Sequence, residues 1–273
     1  MKNIPKALEN DFVGRFREIV SDPNNVRIPR LDSAGLVAKD PRFEDPYVVM
    51  HNGIKVLIGK NGYYESFSQI LGINRGVHEP QEEYAFSQIL KHVDPSLPML
   101  ELGAYWGFYS LWYKKTCPKA QVFLMEPDQH NLQVGKNNFI LNGEDGVFIH
   151  NIIGDGGMDV EEFLEKNKLP KLSILHADIQ GAEMHLLSSI SSALAEKKME
   201  FIFISTHSQD LHLNCIKTLE THGYKILCSA DYANETYSCD GIIVACDPSK
   251  DIEPFDIYSR VEHSLDSVCE LSE

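Results

Sequence analysis

The sequence predicts an α/β fold: a seven-stranded, mostly parallel, doubly wound sheet with a terminal antiparallel hairpin, plus an N-terminal extension. Three observations lead there. From residue 99 onward short apolar runs alternate with amphipathic stretches, the pattern of strands joined by crossover helices. The first two runs are linked through a glycine turn, Gly103 to Gly107, the position where a strand passes into a helix in nucleotide-binding units. The last two runs are joined by a link with Asn234-Glu235, too short for a crossover helix. An apolar content of 43% is ample for a core.

Taken in order, residues 1–80 read as an extension or cap. Pro5, Pro23, Pro29, Pro41 and Pro46 break its first part, leaving one helix around Glu9–Val20 with Phe12, Phe16 and Ile19 at helical spacing. Tyr47–Met50 and Ile54–Ile58 flank His51-Asn52-Gly53, the signal for a hairpin at 47–58. An amphipathic helix over 79–93 ends before Pro95 and Pro98. The core, 81–248, has strands expected at 99–102, 121–125, 147–153, 172–178, 201–206, 224–229 and 241–246. Helices fit at 107–115, 128–141, 159–167, 182–197 and 210–222. The tail, 249–273, is acidic and is expected at the surface or partly disordered.

The turn is the most informative stretch. Glu101 stands just before it, and the next strand closes at Glu126-Pro127. A carboxylate at the end of that second strand can take two ribose hydroxyls. A dinucleotide fingerprint would read G-x-G-x-x-G; here Gly103 and Gly107 enclose bulky Tyr105 and Trp106. Glu101 would repel a pyrophosphate but can receive an ammonium. The ligand best suited is S-adenosylmethionine, which has a ribose and an ammonium but no phosphate. Glu101 and the backbone of Gly103, Ala104, Tyr105 and Gly107 are expected to hold its methionine portion. Glu126 and Pro127 would hold the ribose, with Asp128 assisting, and Asp155 would reach the adenine.

Asp178 ends the fourth strand beside the expected sulfonium, as base, metal ligand or orienting acceptor, unless it caps the following helix. His207 ends the fifth on the same rim and suits a general base, or is a structural histidine. Together the two are candidates for a divalent metal, without a clear third ligand. His176 reads as a buried mid-strand residue, and His185, His212 and His222 as surface residues of helices.

The net charge of −15 argues against nucleic acid and against an anionic membrane surface as partners. None of the six cysteines forms a C-x-x-C pair, and Cys228 and Cys246 read as buried thiols. With no signal-peptide core and no apolar run of spanning length, the cytoplasmic compartment is expected.

Glu101–Gly107, Glu126-Pro127-Asp128 and Asp178-Ile179-Gln180-Gly181-Ala182-Glu183 resemble the FkbM family of S-adenosylmethionine-dependent methyltransferases. His78-Glu79-Pro80 and Ser205-Thr206-His207 are similar to segments of that family, and the resemblance spans about residues 47–246. It implies a Rossmann-like class I methyltransferase fold and methyl transfer to oxygen, with a sugar of a glycan or a small-molecule natural product as acceptor. One departure stands out: Gln180 replaces the first Glu of the family's Asp-Val/Ile-Glu-Gly-x-Glu. Two other readings compete, a nicotinamide-dependent oxidoreductase and a catalytically silent cofactor-binding module of the same fold.

Overall fold

The computed structural model describes residues 12–64 and 66–260. α1 (Phe12–Ser21) realises the helix expected over Glu9–Val20, whose first residues lie outside the described ones. A 3₁₀ turn over Pro23–Arg27 follows, capped by Asp22, which accepts the Asn24 N–H at 2.7 Å. A small sheet has the order β1 (Val37–Ala38), β2 (Tyr47–Val49), β3 (Lys55–Gly59), β4 (Tyr63–Tyr64). The expected hairpin is β2–β3, antiparallel with Val48 opposite Val56. After α2 (Gln69–Ile73) comes α3 (Pro80–Ile89), which starts with Pro at its first position, where the missing N–H costs nothing.

The main sheet consists of β5 (Met99–Leu102), β6 (Val122–Glu126), β7 (Val147–His150), β8 (Leu172–Ala177), β9 (Met199–Thr206), β10 (Lys225–Ala230) and β11 (Gly241–Cys246). Its spatial order is β7-β6-β5-β8-β9-β11-β10. β5 through β9 run parallel, and β11 enters antiparallel between β9 and β10. This order and orientation are those of the Rossmann-like class I methyltransferase fold. α4 (Phe108–Thr116), α5 (Gln129–Asn142), α6 (Val160–Lys166), α7 (Glu183–Ser189), α8 (Ser191–Ala195) and α9 (Gln209–Thr221) cover its faces.

Strand alternation divides the core in two. Leu100, Phe123, Leu175 and Ile202 pack with Leu186, Leu194 and Leu219 of α7–α9. Met99, Leu124, Ile174 and Phe203 pack on the other face with Phe108, Trp112, Phe139 and the cap. Cys228 and Cys246 are buried free thiols, as expected.

Three elements differ from expectation: α3 ends at Ile89, with Leu90 as its C-cap, instead of reaching 93. The single helix foreseen over 182–197 is α7 and α8, broken at Ile190; there Ser188 and Ser189 turn their hydroxyls onto the carbonyls of Met184 and Leu186, a bond that competes with the helix. β7 stops at His150 instead of continuing to 153, because it is the half-exposed edge strand and a loop with Gly154 and Gly156 at positive φ follows.

The cap is fastened by polar contacts. Asn138 of α5 accepts from Leu57 N at 2.8 Å and donates to Trp106 O at 2.9 Å, and Asn142 bonds both backbone groups of Lys55. Of the tail expected at the surface, residues 249–260 run along it with only Ile252, Ile257 and Ser259 turned inward, and 261–273 lie outside the described residues. Ile252 and Ile257 are buried, Phe255 N bonds Leu227 O at 2.9 Å, and Tyr258 exchanges two hydrogen bonds with Asn24. No helix of the described residues is long and apolar enough to cross a membrane.

Candidate functional site

The turn after β5 is built by close approach. Gly103 and Ala104 both donate to Met125 O at 2.9 Å. Gly103 takes φ +77°, and a Cβ there would lie 1.8 Å from the Asp178 carbonyl oxygen, so only glycine fits. Tyr105 is also left-handed at φ +43° and donates its N–H to Glu126 Oε2 at 2.9 Å. Gly107 precedes α4, and Glu101 Oε2 accepts Ser110 N–H in that helix's first turn at 3.0 Å. The other oxygen of Glu126 accepts from Asp128 N at 3.1 Å and Asn131 Nδ2 at 3.4 Å. Asp128 caps α5 through His130 N and Asn131 N. Both strand-end carboxylates are thus buried and aimed at backbone N–H groups around the turn, and burial pushes the Glu101 carboxyl above the usual range.

Beyond the carboxyl ends of β5, β6 and β8 opens a cleft of about 450 Å³. Glu126, Asp128, Asn131, Asp178 and Gln180 supply its polar lining, and Met125, Pro127, Ile152, Ile153 and Ile179 its apolar walls. An apolar slot with a few convergent polar groups suits a nucleoside. Asp155 is exposed at the tip of the 154–157 turn and is not part of that lining; Ile152 and Ile153 stand where it was expected.

At Gly103 and Asp178 the cleft meets an inner chamber of about 40 Å³, walled by Glu101, Ala104, Tyr105, Glu79, Glu82, Tyr109 and His176. Tyr105 lines it while stacking on Tyr63, with ring centroids 6.0 Å apart. Trp106 lies between Tyr63 and Phe108, at 4.3 and 5.1 Å, and packs on both.

The acidic walls come from α3, whose role in the site the sequence did not reveal. Glu82 Oε1 lies 2.7 Å from His176 Nε2, so His176, read as a mere strand residue, belongs to the chamber. Glu83 is fully buried; it accepts from His78 N and Glu79 N and meets His51 Nε2 at 2.9 Å and His78 Nδ1 at 2.5 Å. His78 Nε2 faces Glu79 Oε2 at 3.1 Å. Burial opposes a charge on His78, but Glu79 and Glu83 outweigh it and raise its pKa to about 10. The available signal was the spacing of Glu79, Glu82 and Glu83, which sets the three on one face of a helix start.

The second polar centre gathers Asp178, His207 and a residue sequence reasoning missed, Asp240. His207 Nε2 lies 3.3 Å from Asp178 Oδ1 and 3.2 Å from Asp240 Oδ1, and its Nδ1 lies 2.7 Å from Glu183 Oε1. Asp178 does not cap α7: Ala182 holds that position, without a side-chain cap. Glu183, in the first turn of α7, is fully buried and also accepts Gly181 N–H at 3.0 Å. Burial works against a charged His207, but the bonds to Asp178 and Glu183 and the charge of Asp240 prevail, and its pKa rises to about 10. Burial, with the charge of Asp178, raises Asp240 to about 7. His212, expected at the surface, is buried between Thr206 Oγ1 and Ser229 Oγ at 2.9 and 2.8 Å.

Asp178, His207 and Asp240 offer donor atoms within 4.8 Å of one another, a third ligand the sequence lacked. The Gln180 side-chain amide group, however, lies 2.8 Å from both Asp178 Oδ1 and His207 Nε2, in the space an ion would take. The trio therefore does not fit a metal as it stands.

No family model matches the sequence, and neither does any curated protein. Solved structures of similar fold include TrmK of M. capricolum in complex with S-adenosyl-homocysteine, at 14% identity over 65% of this chain and 72% of that one, TM-score 0.43. A precorrin-6y C5,15-methyltransferase from Geobacter metallireducens is 16% identical over 60% of this chain and 86% of that one, TM-score 0.44. The methyltransferase FkbM from Methylobacillus flagellatus is 18% identical over 56% of this chain and 44% of that one, TM-score 0.45. At such values the fold class rests on the strand order and orientation described above.

Proposed function

We propose that this chain is an S-adenosylmethionine-dependent methyltransferase that methylates a hydroxyl of a sugar or small metabolite. The observation behind this reading is the occupation of the glycine turn: Glu126 takes the Tyr105 N–H and Glu101 the Ser110 N–H. Backbone donors that would cradle a pyrophosphate are satisfied by carboxylates that would repel it. The same carboxylates suit a ribose diol and an ammonium. This disfavours the nicotinamide reading. The silent-module reading has only Gln180 in its favour.

Glu126 and the apolar walls of Ile152, Ile153 and Ile179 hold the nucleoside, and Glu101 with the turn backbone faces the amino-acid portion. When bound, S-adenosylmethionine would supply an electrophilic methyl group, the carbon–sulfur electron pair staying with sulfur as the bond to the acceptor oxygen forms. Asp178 and Asp240 orient the acceptor hydroxyl and receive its proton. Asp240, near pKa 7, is the better acceptor. His207, cationic at neutral pH, holds both carboxylates in place and is less suited to the base role than a neutral imidazole.

The test is transfer of radiolabelled methyl from S-adenosylmethionine to a panel of sugars, oligosaccharides and hydroxylated metabolites. Label stable to alkali, as an ether is, supports the proposal. Label lost to alkali, as from an ester, or none on any hydroxylated acceptor, contradicts it.

A further inference from the structure

A second cleft, of about 400 Å³, lies on the cap between the residues after the 3₁₀ turn, the β2–β3 connection and the end of α3. Arg27, Arg30 and Lys91 line it together with Ser87, Gln88 and Trp112, and no carboxylate belongs to the lining. In a chain of net charge −15, three cations on one acid-free concavity stand apart. Among the described residues their hydrogen-bond partners are all neutral. Arg27 bonds the Tyr84 hydroxyl and the Asp256 carbonyl and lies over the rings of Tyr84 and Tyr258 at 3.7 and 4.6 Å. Arg30 bonds Asn25 through its carbonyl and, at 2.8 Å, its Oδ1. Lys91 bonds Gln88 Oε1 at 2.7 Å. Burial lowers the Arg30 pKa and Arg75 adds repulsion, while Glu83, already bound by His51 and His78, favours the Arg30 charge.

Like charges lining one cleft repel one another, and a dianion relieves that repulsion. Guanidinium forks match phosphate oxygens in pairs. Gln88, which gives one N–H to Ser87 Oγ at 3.1 Å, has a second to donate, and Trp112, mostly buried, forms part of the wall that a sugar or base ring would meet. We infer that this cleft binds a phosphate monoester of a sugar or nucleoside, held at its phosphate by Arg27, Arg30 and Lys91. The site is separate from the cleft beside Glu126, so its test is independent of the methyltransferase reading.

The experiment is calorimetric titration of the full chain with inorganic phosphate, ribose 5-phosphate and uridine 5′-monophosphate. The proteins compared are the native chain, Lys91→Glu, Arg30→Gln and Glu126→Ala, each checked for folding by thermal melting. The expected result is an ester that binds more tightly than inorganic phosphate, weakened about tenfold or more by Lys91→Glu, the effect of one charge-assisted contact. Arg30→Gln should weaken it as well, and Glu126→Ala should leave it unchanged. Tighter binding of the nucleotide than of the sugar phosphate identifies a base on Trp112, and the reverse a sugar. No binding of either ester up to about 10 mM, or equal affinity in folded Lys91→Glu, overturns the proposal.

Discussion

Gly103 is the residue on which the candidate site turns. Its missing side chain lets the Asp178 carbonyl approach, which brings the ends of β5 and β8 together under the cleft. Gly103→Ala should cost about 2 kcal/mol or more, since it combines a positive φ with a clash against backbone. A melting experiment reads that as a lower Tm, and calorimetry as lost cofactor affinity. Asp240 is the complementary case, where charge and not shape decides. The Asp240→Asn variant removes one of the anions that hold His207 protonated, so the imidazole pKa should fall from about 10, as followed by NMR titration. An unchanged titration would mean that Asp178 and Glu183 suffice without it.

At the scale of elements, α3 is more than a cap helix. Its Glu83 joins His51 and His78 in the interior, and Glu82 reaches His176 on β8. Removing the Glu83 charge leaves two buried histidines short of a partner, so Glu83→Gln should lower stability by about 3 kcal/mol, measured by denaturant unfolding. The pH dependence has a definite sign. His78 is raised in the folded protein from 6.5 to about 10, so its contribution is complete below the unfolded pKa of 6.5 and is lost as pH rises through 10. Tm should therefore decline between pH 7 and 10, and less in His78→Gln. These contacts were hidden in the sequence because helical periodicity marks only the apolar stripe, Tyr84, Ile89 and their neighbours. It does not tell whether an acidic residue near a helix start faces water or a histidine on a distant strand.

Across the whole molecule, the alternation of apolar runs located all seven strands of the main sheet, and the short link before Gly241 correctly indicated an antiparallel hairpin. The acidic ends of β5 and β6 were legible as well, because a carboxylate beside a glycine turn has few structural uses. Asp240 was not, since it reads as an ordinary turn residue before glycine. Only the register that sets Gly241 opposite Thr206 brings it beside His207, and such long-range pairing leaves no local trace. Asp155 shows the reverse: a turn acid at a plausible place in the chain, carried away from the cleft by the loop after β7. The cleft beside Glu126 is proposed to bind a sulfur nucleoside. Calorimetric titration with S-adenosylhomocysteine and with NADH, in the native chain and in Glu126→Ala, tests it most directly. Micromolar binding of S-adenosylhomocysteine that disappears in the variant, with no comparable heat from NADH, is the predicted result. Absence of that binding, or tighter binding of NADH, would contradict it.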